Sequence, residues 1–302
     1  MNQKVIPVSK PFSIRTYALP LVAIASVIAW AYVGTFEQML RKWSSDPQYS
    51  HGYLVPVFSL ALLWMRRDAL RDAPLRTSWW GVPLLAAGLG LRLAGAYFYI
   101  DWFEAVSLLP VLAGCCLLIG GWPALHWSWP AIAFLFFMIP LPFRVENALQ
   151  LPLRRIGTVA SVYAMQTCGL PALAEGNVIV VGEARIGVVE ACSGLRMLMI
   201  FFALTTAAAI VSPRPLWERV SLVLSAVPIA LAANIARITV TGSLHAIGRS
   251  DLADLVFHDL AGWLMMPFAL GLLWIELERH HQPSREVMKH EVGEVGSTDR
   301  ME

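Results

Sequence analysis

Apolar runs of about 20 residues recur along most of this chain, and their length constrains the fold more than any other feature. At 1.5 Å per residue, a helix of about 20 apolar residues crosses the roughly 30 Å hydrocarbon core of a bilayer. Of the 302 residues, 57% are hydrophobic and only 15% charged, against about 45–50% apolar and 25% charged in soluble domains. The chain is therefore expected to be a polytopic membrane protein. Its 12 Trp and 19 Pro suit interfacial belts and interrupted helices. A net charge of +2 gives no reason to expect a nucleic-acid partner.

The pattern predicts an all-α polytopic membrane protein with about eight transmembrane helices. They fall near residues 16–36, 53–65, 78–96, 104–121, 127–142, 194–211, 217–244 and 259–277. The first run starts near Thr16, is full length and lacks a small-residue cleavage site, so it is read as a membrane helix rather than a cleavable leader. Residues 1–277 form one expected transmembrane domain, and the charged stretch 278–302 is expected to be a disordered cytoplasmic tail.

Residues 143–192 are an expected insertion of a different character. Arg144, Glu146, Asn147, Gln150, Arg154 and Arg155 stand among apolar residues at helical spacing, which predicts an amphipathic helix in the membrane interface. Pro152 should start or kink part of it. Two β-rich runs with Gly182 between them then predict a small β-hairpin on the outer face, leading to Cys192.

Orientation follows from Lys and Arg. With eight spans, Lys4, Lys10, Arg15, Arg66, Arg67, Arg71, Arg76, Arg214, Arg219 and Arg279 fall on one side, which is expected to be cytoplasmic and to hold both termini. Arg41, Lys42, Arg144, Arg154, Arg155, Arg185 and Arg249 fall on the other and weaken the bias without reversing it.

The four cysteines are Cys115, Cys116, Cys168 and Cys192. The first two lie inside an apolar run, where a thiol packs as a small hydrophobe. No Cys/His cluster has zinc-like spacing, and neither metal nor cofactor is expected. Cys168 and Cys192 share a side, which leaves a disulfide between them open.

Cys192 stands in a short polar turn just before the sixth apolar run. In the eight-span topology, Arg237 in the seventh and His258 at the start of the eighth lie in the same leaflet. A thiol, a guanidinium and an imidazole are the parts needed for thiolate attack on an acyl group. A helix N-terminus beside Cys192 favours thiolate. A histidine can take the thiol proton and return it to the leaving amine. Arg237 stays charged at any depth and can stabilise the thiolate or an oxyanion. Asn234, three residues earlier on the same face, can position Arg237 or donate to that oxyanion. His51 and His245 compete with His258 for the base, and Glu190 and Asp259 can orient a histidine or pair with Arg237. Each also has a bland reading: a structural cysteine, an ion-paired arginine, an interfacial histidine, a solvated charge or helix cap.

These residues resemble the exosortase/archaeosortase family. The resemblance rests on Glu190-Ala191-Cys192-Ser193-Gly194-Leu195-Arg196, on Asn234-Ile235-Ala236-Arg237, and on Phe257-His258-Asp259. It is supported by Tyr49-Ser50-His51-Gly52-Tyr53-Leu54-Val55-Pro56 and by Ile139-Pro140-Leu141-Pro142, and covers roughly residues 20–277 in order. It implies a multi-pass cysteine protease or transpeptidase of the bacterial inner membrane, with its active site facing the periplasm. The implied substrates are exported proteins with a C-terminal sorting signal: a Pro-Glu-Pro-like (PEP-CTERM-like) motif, a transmembrane helix and a basic cluster. Cys192 then takes the nucleophile's place, His258 the base's and Arg237 the stabiliser's, with Asn234, Glu190, Ser193, Gly194, Arg196 and His51 supporting. Membrane lipid is a further expected partner. The resemblance also implies a link to exopolysaccharide production, with a separately encoded partner from such a locus; some members carry an additional C-terminal domain, expected here to be absent or separately encoded. The alternative is a transporter or exopolysaccharide-export component in which Arg237 binds an anionic substrate. That reading expects interrupted helices in matched halves and a polar path across the bilayer.

Overall fold

The computed structural model describes residues 14–255, apart from 72, 183 and 189–193. The expected eighth span and the 278–302 tail lie outside the described residues. The chain divides into two compact units, Met1–Pro142 and Phe143–Glu302.

The first unit opens with α1 (Ile14–Ala31) and α2 (Val33–Ser45). The single span expected at 16–36 is broken at Tyr32, and the helices on either side of it bend by 67°. The break has a visible cause. Arg92 donates to the carbonyl of Ala31, and its guanidinium stacks 4.2 Å from the centre of the Tyr32 ring. Tyr32 is buried and shares a 2.8 Å hydrogen bond with Ser107.

A 3₁₀ turn at Pro47–Tyr53 leads into α3 (Leu54–Met65) and the short α4 (Asp68–Arg71). α3 has 12 residues, about 18 Å of helix, short of a bilayer core. α5 (Gly81–Phe98) and α6 (Asp101–Phe134) follow, with a 3₁₀ turn at Leu135–Met138. α5 and the start of α6 run antiparallel along a line of glycines seven apart. A Cβ on Gly81 would lie 2.6 Å from the Gly114 carbonyl, one on Gly88 2.7 Å from Val111, and one on Gly95 2.7 Å from Glu104. Small residues at this spacing let membrane helices approach closely.

α6 is not one rod. Gly121 has φ 69° and ψ −157°, a left-handed conformation open to glycine, and a side chain there would strike the Arg76 carbonyl. A straight helix would hold residues 102 and 136 about 50 Å apart, yet the Trp102 and Phe136 rings are 6.4 Å apart. α6 therefore folds back at Gly121 into two limbs, and these occupy the stretches expected as the fourth and fifth spans.

The second unit begins with α7 (Phe143–Thr167). A three-stranded antiparallel sheet follows: β1 (Ala172–Glu175), β2 (Val178–Val181) and β3 (Ala184–Gly187). Then come α8 (Gly194–Val211), α9 (Leu216–Leu224), α10 (Ala226–Ala246) and α11 (Ser250–Leu255). α7 ends in a Schellman motif: Gly169 at φ 83°, Gly169 N–H on Gln166 and Leu170 N–H on Met165, both at 3.0 Å. Leu170 thereby joins the cluster of Val162, Met165, Ile179, Val181, Val188 and Ile238 that seats the sheet on α7 and α10.

α7 runs alongside α10 with residues in step. Gly157 faces Asn234 and Ile238, Ser161 donates to the Ile235 carbonyl, and Met165 fills the space left by Gly242. Small side chains on both helices allow this approach, and the polar residues of α7 bond to one another rather than to solvent alone.

Among the described residues, Gly81–Phe98, Asp101–Met138, Gly194–Val211 and Leu216–Ala246 are long and apolar enough to cross a membrane, and the bent α1–α2 pair brings these candidates to five.

Candidate active site

Arg237 and Asn234 form the centre of the site, one turn apart on α10. Both are buried, at 7% and 2% exposure. Arg237 Nη2 donates to Asn234 Oδ1 at 2.8 Å, while Arg237 Nε is buried with no hydrogen-bond partner among the described residues. An unmet donor on a buried cation costs more than the roughly 1–3 kcal/mol of a neutral group, so this arginine is held in a demanding place, among the described residues, by a single side-chain bond.

Asn234 is wedged between two glycines. A Cβ on Gly194 would stand 3.3 Å from Asn234 Nδ2, and one on Gly157 3.4 Å from the same atom. One amide thus faces Arg237 with its oxygen, and the starts of α8 and of the inner half of α7 with its nitrogen. A narrow cleft lined by Leu153, Gly194, Leu198, Val227, Ala230, Leu231 and Asn234 adjoins it. The cleft is apolar except at Asn234.

The sequence-predicted residues divide accordingly. Arg237, Asn234 and Gly194 are brought together. Arg196 lies half-buried two residues further along α8. His245 lies in the last turn of α10, half-buried. Glu190, Cys192, Ser193, His258 and Asp259 lie outside the described residues. Cys168 is a free, exposed thiol.

His51 belongs to the first unit, where it builds a compact knot. His51 Nε2 donates to the Phe137 carbonyl at 3.1 Å, Trp43 Nε1 to the Met138 carbonyl at 2.9 Å, and Leu141 N–H to the Tyr49 hydroxyl at 3.2 Å. A carbonyl only accepts, so His51 carries its proton on Nε2. Burial holds the His51 pKa below the ordinary histidine value, against the opposing pull of the Phe137 and Gln48 backbone. A side chain at Gly52 would collide with the Trp43 ring. The motifs around residues 49–53 and 139–142, far apart in sequence, are therefore two sides of one structure.

Sequence reasoning missed two features. Gly157 is one, and its signal was a small residue at the centre of a polar helix. The other is a ladder along α7: Gln150 Nε2 donates to Glu146 at 2.9 Å, and Arg154 donates to Gln150 at 2.5 Å. The four-residue spacing of these three was its signal.

Apolar helices packed through glycine seams, with a buried Arg–Asn pair on one of them, define a polytopic membrane protein with a polar centre inside its helices. The sequence model of the transmembrane exosortase matches residues 43–275. The chain belongs to that family. No curated protein and no solved structure matches it.

Proposed function

We propose that this chain is a membrane cysteine protease or transpeptidase that cleaves C-terminal sorting signals of exported proteins. The observation that carries this reading is the position of Arg237. Val188, just before the Cys192 turn, belongs to the same buried cluster as Ile238, and Gly194, just after it, packs against Asn234. The described residues on either side of 189–193 thus meet residues of α10 that flank Arg237. Consecutive Cα atoms are about 3.8 Å apart, so connectivity keeps Cys192 within about 8 Å of Gly194.

In this reading the Cys192 thiolate attacks the scissile carbonyl carbon, and Arg237 stabilises the negative charge on sulfur and then on oxygen. The C–N bond breaks, and His258 returns the thiol proton to the departing amine. Water, an amine or a hydroxyl then releases the acyl group from Cys192. Asn234 fixes the guanidinium, and Glu190, Ser193, Gly194 and Arg196 shape the turn and the start of α8. His51 is read as a further supporting residue. The substrate is an exported protein whose Pro-Glu-Pro-like motif precedes a transmembrane helix and a basic cluster. The chain spans a bacterial inner membrane eight times, with the site facing the periplasm and both termini in the cytoplasm. A separately encoded partner from an exopolysaccharide locus belongs to this reading.

The test is processing of a reporter bearing such a C-terminal signal, in cells expressing wild type or Cys192→Ala. The variant should insert in the membrane and leave the reporter uncleaved. Normal processing by Cys192→Ala rules the mechanism out. Trapping a Cys192-linked reporter fragment and sequencing it identifies the cleavage site.

A further inference from the structure

We propose that the end of the first unit carrying Arg66, Arg67 and Arg76 is a binding surface for the phosphate headgroup of an anionic phospholipid. Three separate stretches of chain meet there. Arg66 Nη2 donates to the His126 carbonyl at 3.2 Å, Ser78 N–H donates to the Leu117 carbonyl at 3.0 Å, and the Arg76 carbonyl packs against Gly121. The fold-back of α6 at Gly121 is what brings residues 117–126 to this end.

None of the three arginines has a carboxylate partner among the described residues. Arg67 stacks 4.4 Å from the Trp64 ring centre, which orients its guanidinium without neutralising it. Two other cations of the unit contrast with this: Arg41 pairs with Glu37 at 3.8 Å and Lys42 with Asp46 at 2.9 Å.

The aromatic side chains at this end set its depth. Trp64, Trp80 and Trp122 are 69%, 69% and 60% exposed, and exposed tryptophans on a membrane protein sit at headgroup level. Forked guanidiniums at that level suit a phosphate diester better than point charges do. Charge complementarity therefore selects an anionic lipid from the leaflet at this end, and the inference is independent of the protease reading.

The test uses the full chain in phosphatidylcholine vesicles doped with brominated phosphatidylglycerol, reading quenching of tryptophan fluorescence. Wild type should prefer phosphatidylglycerol to brominated phosphatidylcholine. The triple variant R66Q/R67Q/R76Q should lose that preference, and the triple lysine variant should keep most of it. Each arginine near a headgroup is worth about a fivefold change in affinity, so single Arg67→Gln and Arg76→Gln variants give a measurable loss if the triple variant fails to insert. R41Q/K42Q should match wild type. A preference that survives R66Q/R67Q/R76Q, or one abolished equally by R41Q/K42Q, overturns the proposal. So does a preference that inorganic phosphate in the buffer competes away, which would mark a site for free anions.

Discussion

Arg92 and Arg237 both sit within apolar helices of this protein, and their surroundings differ. Arg92 in the first unit has two partners. It stacks on Tyr32, donates to the carbonyl freed where α1 breaks, and so turns a helix interruption into a fixed bend. Arg237 in the second unit is more deeply buried, yet among the described residues Asn234 alone accepts from it and its Nε is unmet. An intramembrane cation persists when something satisfies it. Arg92 is held by its contacts with Tyr32 and Ala31. Arg237 keeps donor capacity that no described residue uses, and the proposed role requires such capacity.

The sharpest way to break this contrast is to remove each guanidinium. Arg237→Ala is expected to cut reporter processing by about 100–1,000-fold, the range for losing one stabiliser of developing charge, with membrane insertion and thermal unfolding close to wild type. Arg237→Lys should recover only part, because a point charge lacks the fork. Arg92→Leu should do the reverse. It removes a charged hydrogen bond and a cation–π contact, together about 2–4 kcal/mol, seen as a lower unfolding midpoint in detergent. If Arg92→Leu abolishes processing without lowering stability, the two arginines do not differ in the way described.

Asn234→Ala should lower processing by about tenfold, because Arg237 loses the bond that aims it. Tyr32→Phe should cost about 1 kcal/mol through the Ser107 hydrogen bond alone. The smallest effect is a pH dependence. His51 has a folded pKa below its unfolded value of about 6.5. The unfolded chain therefore takes up the proton first. The stability contributed by neutral His51 is complete above about pH 6.5 and declines as pH falls below it, until the folded imidazole also protonates. The slope of unfolding midpoint against pH between about 6.5 and 5 should flatten in His51→Gln.

The apolar runs made several helices legible, because burying a backbone in lipid demands them. Gly194–Val211 lies where its run of apolar residues placed it. Other features depended on long-range contacts that periodicity does not register. The bend at Tyr32 needs Arg92, 60 residues later in the chain. The course of α7 depends on Gly157 and Ser161 meeting α10, and the bonds of Gln150 to Glu146 and Arg154 add to its polar face. In the site, Arg237 and Asn234 were legible from depth and spacing. The role of Gly194 against Asn234 was not, since a glycine reveals a close approach only when its neighbour is known.

The central claim is that Arg237 acts on the thiol of Cys192. The most direct measurement is the pH dependence of Cys192 alkylation by iodoacetamide in otherwise cysteine-free wild type, Arg237→Ala and Arg92→Leu. Wild type and Arg92→Leu should share one apparent thiol pKa, below the ordinary value of about 8.5. In Arg237→Ala that pKa should rise, with slower alkylation at neutral pH. An identical pH profile in wild type and Arg237→Ala would contradict the account.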